Sequence, residues 1–203
     1  MIDVRQNRED FMCVVNNQIL PTYPQVAQLL DWLKNTDFFT APASTKYHSA
    51  EPGGLCYHSL LTFDCLWDLL ELSTFEDVLK EYNAADIAIA SLFHDLCKVD
   101  YYKQCKRNVK QTINGVERWT EVLSYTKDEK FVFGHGEKSV FYIMKYMHNL
   151  PDRLLQAIRY HMGGMNGSNI DQDSSPAFAT NKLALALHLA DMTATFACEE
   201  RND

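Results

Sequence analysis

The segment ASLFHDLCK, residues 90–98, sets an imidazole beside a carboxylate, His94 and Asp95, inside an otherwise apolar run, with Lys98 one turn later. A buried ionised carboxylate without a partner costs several kcal/mol, roughly, so something must compensate Asp95. Three further histidines and one aspartate stand in comparable settings. His58 lies within LCYHSLLTFDCLWDLLEL, His135 sits between two glycines, His161 ends LLQAIRYH, and Asp191 falls inside the last apolar segment. Taken singly, each reads as a hydrogen-bonded structural residue. Taken together, four imidazoles and two carboxylates from separate apolar segments satisfy one another if they converge on divalent cations, which let buried charge persist. Mixed imidazole and carboxylate ligation suits Mn, Fe, Co, Ni or Zn better than Mg.

Ligands of this kind need rigid elements behind them, and helical bundles supply them from facing helices. From residue 24 onward the chain reads as helical. PQVAQLLDWLKNT carries Val26, Leu29, Leu30 and Leu33 on one face, with Pro24 suited to the first turn. The segment around His58 predicts a helix of about five turns. STFEDVLKEYN suggests a short helix opened by a capping box of Ser73 and Glu76. AADIAIASLFHDLCK is apolar almost all round, which suits the centre of a bundle. GEKSVFYIMKYMH and PDRLLQAIRYHM predict two helices, GGMNGSNIDQDSSP a loop, and AFATNKLALALHLADMTATFACEE a final unbroken helix.

Residues 1–20 read as an N-terminal arm or short hairpin. The clearest β signal is NVKQTINGVERWTEVLSY, about residues 108–125, where Asn114-Gly115 marks a hairpin turn. The expected architecture is all-α, a helical bundle with a small β-hairpin insertion, in a single domain over 1–203 with its core in 38–196. The hairpin, lying between two His-bearing segments, reads either as a surface excursion or as a wall over a site.

Composition narrows the function classes. At 203 residues and 46% hydrophobic, the chain can build one sizeable core. No run nears the roughly 18 apolar residues of a membrane span, and MIDVRQNREDFMCVV lacks the basic-then-apolar order of a signal peptide. A soluble, cytoplasmic protein without membrane contact is expected. The six cysteines form no CxxC pair and read as reduced thiols, with Cys56, Cys65, Cys97 and Cys198 in apolar helical patterns. A net charge of −8 argues against a broad grip on duplex nucleic acid. The basic cluster KQCKRNVK, residues 103–110, reads either as a solvated loop face or as a phosphate-collecting rim. Tyr57, Tyr101, Tyr102 and Trp119 could stack on a base or simply pack.

In order along the chain, His58, His94-Asp95, His135, His161 and Asp191 resemble the signature of the HD-domain superfamily of metal-dependent phosphohydrolases. FFTAPASTKYHSAEPGGLCYHS is similar to the opening of the HD domain of bacterial 3'-5' exoribonucleases. HDLCK, NVK, FGHGEKS, AIRYHMGG and HLADM are similar to segments of small stand-alone HD proteins of Gram-positive bacteria and their phages. Tyr47-His48 stands where the exoribonuclease type has paired histidines, which leaves His48 as a substrate contact. The stretch ahead of the motif is too short for that family's OB-like domain, which argues against processive RNA degradation.

The resemblance implies one metal held by His58, His94, Asp95 and Asp191, and a second by His135 and His161 with Asp95 bridging. Two such ions about 3.5–4 Å apart lower the pKa of a bridging water, so hydroxide is available near neutral pH to attack phosphorus. Lys98 would act beside Asp95 in catalysis by meeting a phosphoryl oxygen. Lys138 and Arg159, with His48, complete the candidate substrate contacts. His188 reads as a hydrogen-bonding or packing residue behind Asp191. The expected activity is hydrolysis of a nucleotide or small phosphate ester. The alternatives are a mixed-valent diiron oxygenase of the same fold, or a non-catalytic nucleotide sensor.

Overall fold

Asp3 opens the first helix by accepting hydrogen bonds from the amides of Arg5 and Gln6. A computed structural model describes residues 1–113, 115–164 and 173–199, and in it α1 spans Val4–Val14 and continues into a wide turn at Val15–Ile19. The arm or short hairpin expected over residues 1–20 is therefore corrected. Phe11, Val15 and Ile19, four residues apart, are fully buried, which is a helical period. The consecutive apolar letters of FMCVV hid that period, because Met12 and Val14 are only half-covered and Cys13 is exposed. Phe11 is enclosed by Phe38, Phe39 and Phe93 at centroid distances of 5.1, 5.6 and 5.8 Å, all edge-on.

After α2 (Val26–Leu33) and a long loop, α3 covers Gly54–Leu70 and α4 is a single turn at Val78–Glu81. The capping box expected at Ser73 and Glu76 is absent; Ser73 instead begins a 3₁₀ turn. The box forms at Asn83 and Asp86, where it opens α5 (Ala84–Phe93). The central helix thus ends at Phe93, five residues before Lys98. His94 is its last half-helical residue, Asp95 departs to φ −105° and ψ 21°, and Leu96–Lys98 forms a 3₁₀ turn.

The hairpin is longer than expected. Its strands β1 (Tyr102–Ile113) and β2 (Val116–Lys127) pair antiparallel from Ile113 opposite Val116 to Tyr102 opposite Lys127. Asn114 of the expected turn lies outside the described residues. The basic cluster 103–110 is strand rather than loop, and its Lys106 and Lys110 face Glu121 and Glu117 across the ladder. Cross-strand acids thereby neutralise two of the charges that a phosphate-collecting rim would need.

Next come α6 (His135–Tyr146) and α7 (Asp152–Arg159), the latter capped by Pro151. The loop expected after Gly164 falls mostly on residues 165–172, outside the described residues. The expected last helix is two, α8 (Ser174–Thr180) and α9 (Lys182–Thr193), followed by a wide turn at Ala194–Cys198. Asn181 makes the break. Its side chain accepts from the amides of Leu183 and Ala184 and from the Tyr82 hydroxyl, and donates to the Arg153 carbonyl.

Helix α3 packs on both α5 and α9, α1 covers α3, and α6 and α7 close the other side. One apolar core runs from Phe11 to Ala194. The architecture is mostly α with one two-stranded hairpin. Among the described residues, no helix is long and apolar enough to cross a membrane. Replacing Phe11 by Ala should cost about 3–5 kcal/mol in denaturant unfolding if α1 belongs to the core. A detachable arm would lose a few tenths at most.

Candidate metal centre

Five segments deliver the six predicted ligands to one place. His58 comes from the first turns of α3, His94 and Asp95 from the end of α5, His135 from the first position of α6, His161 from just after α7, and Asp191 from α9. His58 Nε2 lies 3.2 Å from His94 Nε2, 3.2 Å from Asp191 Oδ1 and 3.5 Å from Asp95 Oδ2. On the other carboxylate oxygen of Asp95, His135 Nε2 approaches to 2.7 Å and His161 Nε2 to 3.7 Å. The six side chains form overlapping triplets whose candidate ligand atoms lie within 4.8 Å of one another.

Local backbone dictates which way the rings face. His94 Nδ1 donates to the Ser91 carbonyl and His161 Nδ1 to the Ile158 carbonyl, both at 2.7 Å and three residues upstream. These carbonyls belong to the last turns of α5 and α7, where helices leave acceptors without intrahelical partners. His58 Nδ1 donates to Glu199 Oε1 at 2.5 Å. A carbonyl can only accept, so Nδ1 of His94 and His161 carries a proton, and Nε2 is the nitrogen that offers a lone pair in the neutral ring. Close approach of α6 to α7 completes the set. A Cβ on Gly136 would sit 2.0 Å from the Arg159 carbonyl oxygen, so only glycine lets His135 come up to His161.

The donor set fits a divalent transition metal. His161 Nε2 is fully buried and has no hydrogen-bond partner among the described residues. An aromatic nitrogen held in that state costs free energy unless a cation or water meets its lone pair. These buried groups are therefore positioned to hold a metal ion.

Within the cluster, protons and an ammonium balance the carboxylates. Burial opposes the charged form of His58, but hydrogen bonds to Asp191 and Glu199 outweigh it and raise the ring to about 10. Burial likewise opposes protonation of His135, yet contacts with Cys97 and Asp95 lift it to about 9. His94 goes the other way, pushed down to about 4 chiefly by burial. Burial would raise Asp95, but Lys98, His94 and the hydrogen-bonding imidazoles hold it well below the usual carboxylate range.

A cavity of about 730 Å³ opens onto the cluster, and His48, Asp95, Lys98, His135, Lys138 and Asp191 contribute to its wall. His48 is neutral there, lowered to about 4 by burial and by Lys98, and its Nε2 has no hydrogen-bond partner among the described residues. Lys98 lies 2.6 Å from Asp95 Oδ2. Lys138 is buried beside Glu129 at 2.8 Å and over the Tyr101 ring at 5.2 Å. Arg159 is not brought to this cavity. It pairs with Glu137 at 2.5 Å and borders a separate groove, because two residues before His161 is about half a helical turn away. His188 donates through Nδ1 to the His161 carbonyl at 2.6 Å, as a hydrogen-bonding residue behind the site should.

Two participants escaped the sequence reading. Glu199, buried against His58, belongs to a terminal Glu-Glu pair that reads as a solvated charge. Ser139 receives the Cys97 amide at 3.0 Å and ties the turn after Asp95 to α6; a serine inside an amphipathic helix carries no signal of this. Cys198, expected in apolar surroundings, is exposed. No family model matches the chain, and no curated protein or solved structure matches it either.

The opposed histidine shifts define a pH optimum for the chelator-treated protein. His48 and His94 titrate below the ordinary imidazole value of about 6.5, so their neutral burial favours folding increasingly as pH rises from about 4 to 6.5. His58 and His135 titrate above it, so their contribution is complete below 6.5 and is lost as pH climbs through about 9 and 10. Thermal melts in chelator should therefore peak near pH 6.5 and decline on both sides; a melting temperature still rising at pH 9 would contradict this charge assignment.

Proposed function

We propose that the chain is an HD-type metal-dependent phosphohydrolase acting on a nucleotide or small phosphate ester. In this reading His58, His94, Asp95 and Asp191 hold one divalent ion, and His135 and His161, sharing Asp95, hold a second. The single observation that supports it best is the convergence of imidazole Nε2 atoms from four segments on the two carboxylate oxygens of Asp95. When bound, a pair of such ions supplies Lewis acidity at a phosphoryl oxygen and a water acidified towards neutral pH.

The protein's own residues supply the rest. Lys98 remains an ammonium at physiological pH, because although burial opposes its charge, Asp95 beside it raises its pKa further above the usual range. Its side chain is 12% exposed and lines the cavity wall, where the ammonium can donate to a phosphoryl oxygen as negative charge develops. Lys138 adds a second cation nearby, partly balanced by Glu129. Tyr101, with Lys127 at 5.9 Å and Lys138 at 5.2 Å from its ring centroid, offers an aromatic face between cations, which suits a base or sugar linked to phosphate. Tyr102 ties the foot of the hairpin to the loop bearing His48 by donating to the Ala43 carbonyl at 3.2 Å, so the hairpin forms part of the wall.

The test is metal analysis of freshly purified protein, followed by an anaerobic screen with manganese against mononucleotides, cyclic dinucleotides and short oligonucleotides. Release of phosphate or nucleoside is the expected result. Iron-dependent oxygen consumption would replace this reading by the diiron oxygenase, and a tight ligand recovered unchanged would replace it by a sensor. Asp95→Ala should abolish metal binding and turnover while the far-ultraviolet spectrum stays helical; full turnover by that variant would overturn the assignment. Lys98→Gln should keep the metal and lower kcat about 100- to 1000-fold, the loss measured when one donor to developing negative charge is removed.

A further inference from the structure

Helix α3 grips the end of the described chain at two points on one face. His58 Nδ1 meets Glu199 Oε1 at 2.5 Å, and seven residues on, two helical turns along, Cys65 Sγ lies 3.7 Å from Cys198 Sγ. The wide turn at Ala194–Cys198 carries the chain from α9 to this contact, and Ala194 is fully buried beneath it. Asp191 and Glu199 consequently address opposite nitrogens of one ring. Asp191 Oδ1 lies 3.2 Å from Nε2, and Glu199 takes Nδ1.

Glu199 is buried, and a carboxylate in that position without a function would be a liability. Of the three fully buried ligand imidazoles, His58 is the one whose Nδ1 is held by a carboxylate; those of His94 and His161 are held by backbone carbonyls. The difference follows from position. His94 and His161 follow helix ends with spare carbonyls, whereas His58 lies inside α3, where the carbonyls upstream are engaged in the helix. A ring followed by several more turns of its helix needs its acceptor from elsewhere.

We infer that Glu199 is a positioning residue of the metal centre, the outer carboxylate that fixes the orientation and tautomer of His58 and strengthens its Nε2 as a ligand. The inference rests on the metal reading above. It assigns to the turn after α9 a part in metal retention that none of the ligands themselves would reveal. Outer carboxylates of this kind typically contribute about 10- to 100-fold in metal affinity.

Zn²⁺ is the probe, measured by calorimetry on the full-length protein and on Glu199→Gln, which keeps the size of the side chain and removes its charge. The expected result is Zn²⁺ affinity lowered about 10- to 100-fold with the helical spectrum unchanged. Wild-type affinity in a folded Glu199→Gln protein would overturn the inference and leave the metal reading intact. A wild-type protein that takes up no Zn²⁺, Mn²⁺ or Fe²⁺ would overturn both. A second readout needs no variant: the ¹⁵N spectrum of the Zn²⁺-loaded wild type should show His58 protonated at Nδ1 and metallated at Nε2. Metal on Nδ1, or an Nδ1 without its proton, would also overturn it. A purely structural Glu199 would lower the melting temperature and move neither the Zn²⁺ affinity of the folded protein nor that tautomer.

Discussion

Three imidazoles are locked by their Nδ1 protons, and much of the molecule is arranged around that constraint. A histidine that must present Nε2 to the protein interior needs a fixed acceptor on its other nitrogen, or the ring rotates and the tautomer is lost. The fold provides the acceptor where helices stop, at Ser91 for His94 and at Ile158 for His161. The early end of α5 follows the same logic. Continuing the helix through Asp95 would have carried that carboxylate away from the imidazoles, whereas its departure to φ −105° turns both oxygens into the cluster.

Charge balance explains why the surroundings are so apolar. Asp95 and Asp191 are compensated within the protein by His58, His135 and Lys98, so neither carboxylate is left without a counter-charge. A divalent ion held by the same groups would take over from those imidazole protons as the positive charge beside the carboxylates. Lys98 bridges the two situations. Its pairing with Asp95 is a compensating contact, and the same ammonium lies on the cavity wall.

The cluster of buried histidines and aspartates was legible because such residues inside apolar helical runs are chemically conspicuous. The bundle and the hairpin were legible from period and turn chemistry. What escaped depended on tertiary context. The first helix was hidden because Met12, Cys13 and Val14 fill the gaps in the helical period with apolar letters, although Cys13 is exposed and Met12 and Val14 only flank the core. The break at Asn181 was hidden because its partners, Tyr82 and Arg153, are remote in sequence. Glu199 was invisible because one acid after an apolar segment looks like a solvated end until α3 is placed against it. Arg159, two residues before His161, faces Glu137 instead, which proximity along the chain could not reveal.

The account turns on imidazole nitrogens aimed at a shared cation. Anomalous diffraction from crystals grown with manganese or iron, collected at the absorption edge of that metal, tests this most directly. The account predicts anomalous density among His58, His94, Asp95 and Asp191, with a second peak beside His135 and His161. A map with no peak there, or with the ion bound only on the protein surface, would contradict it.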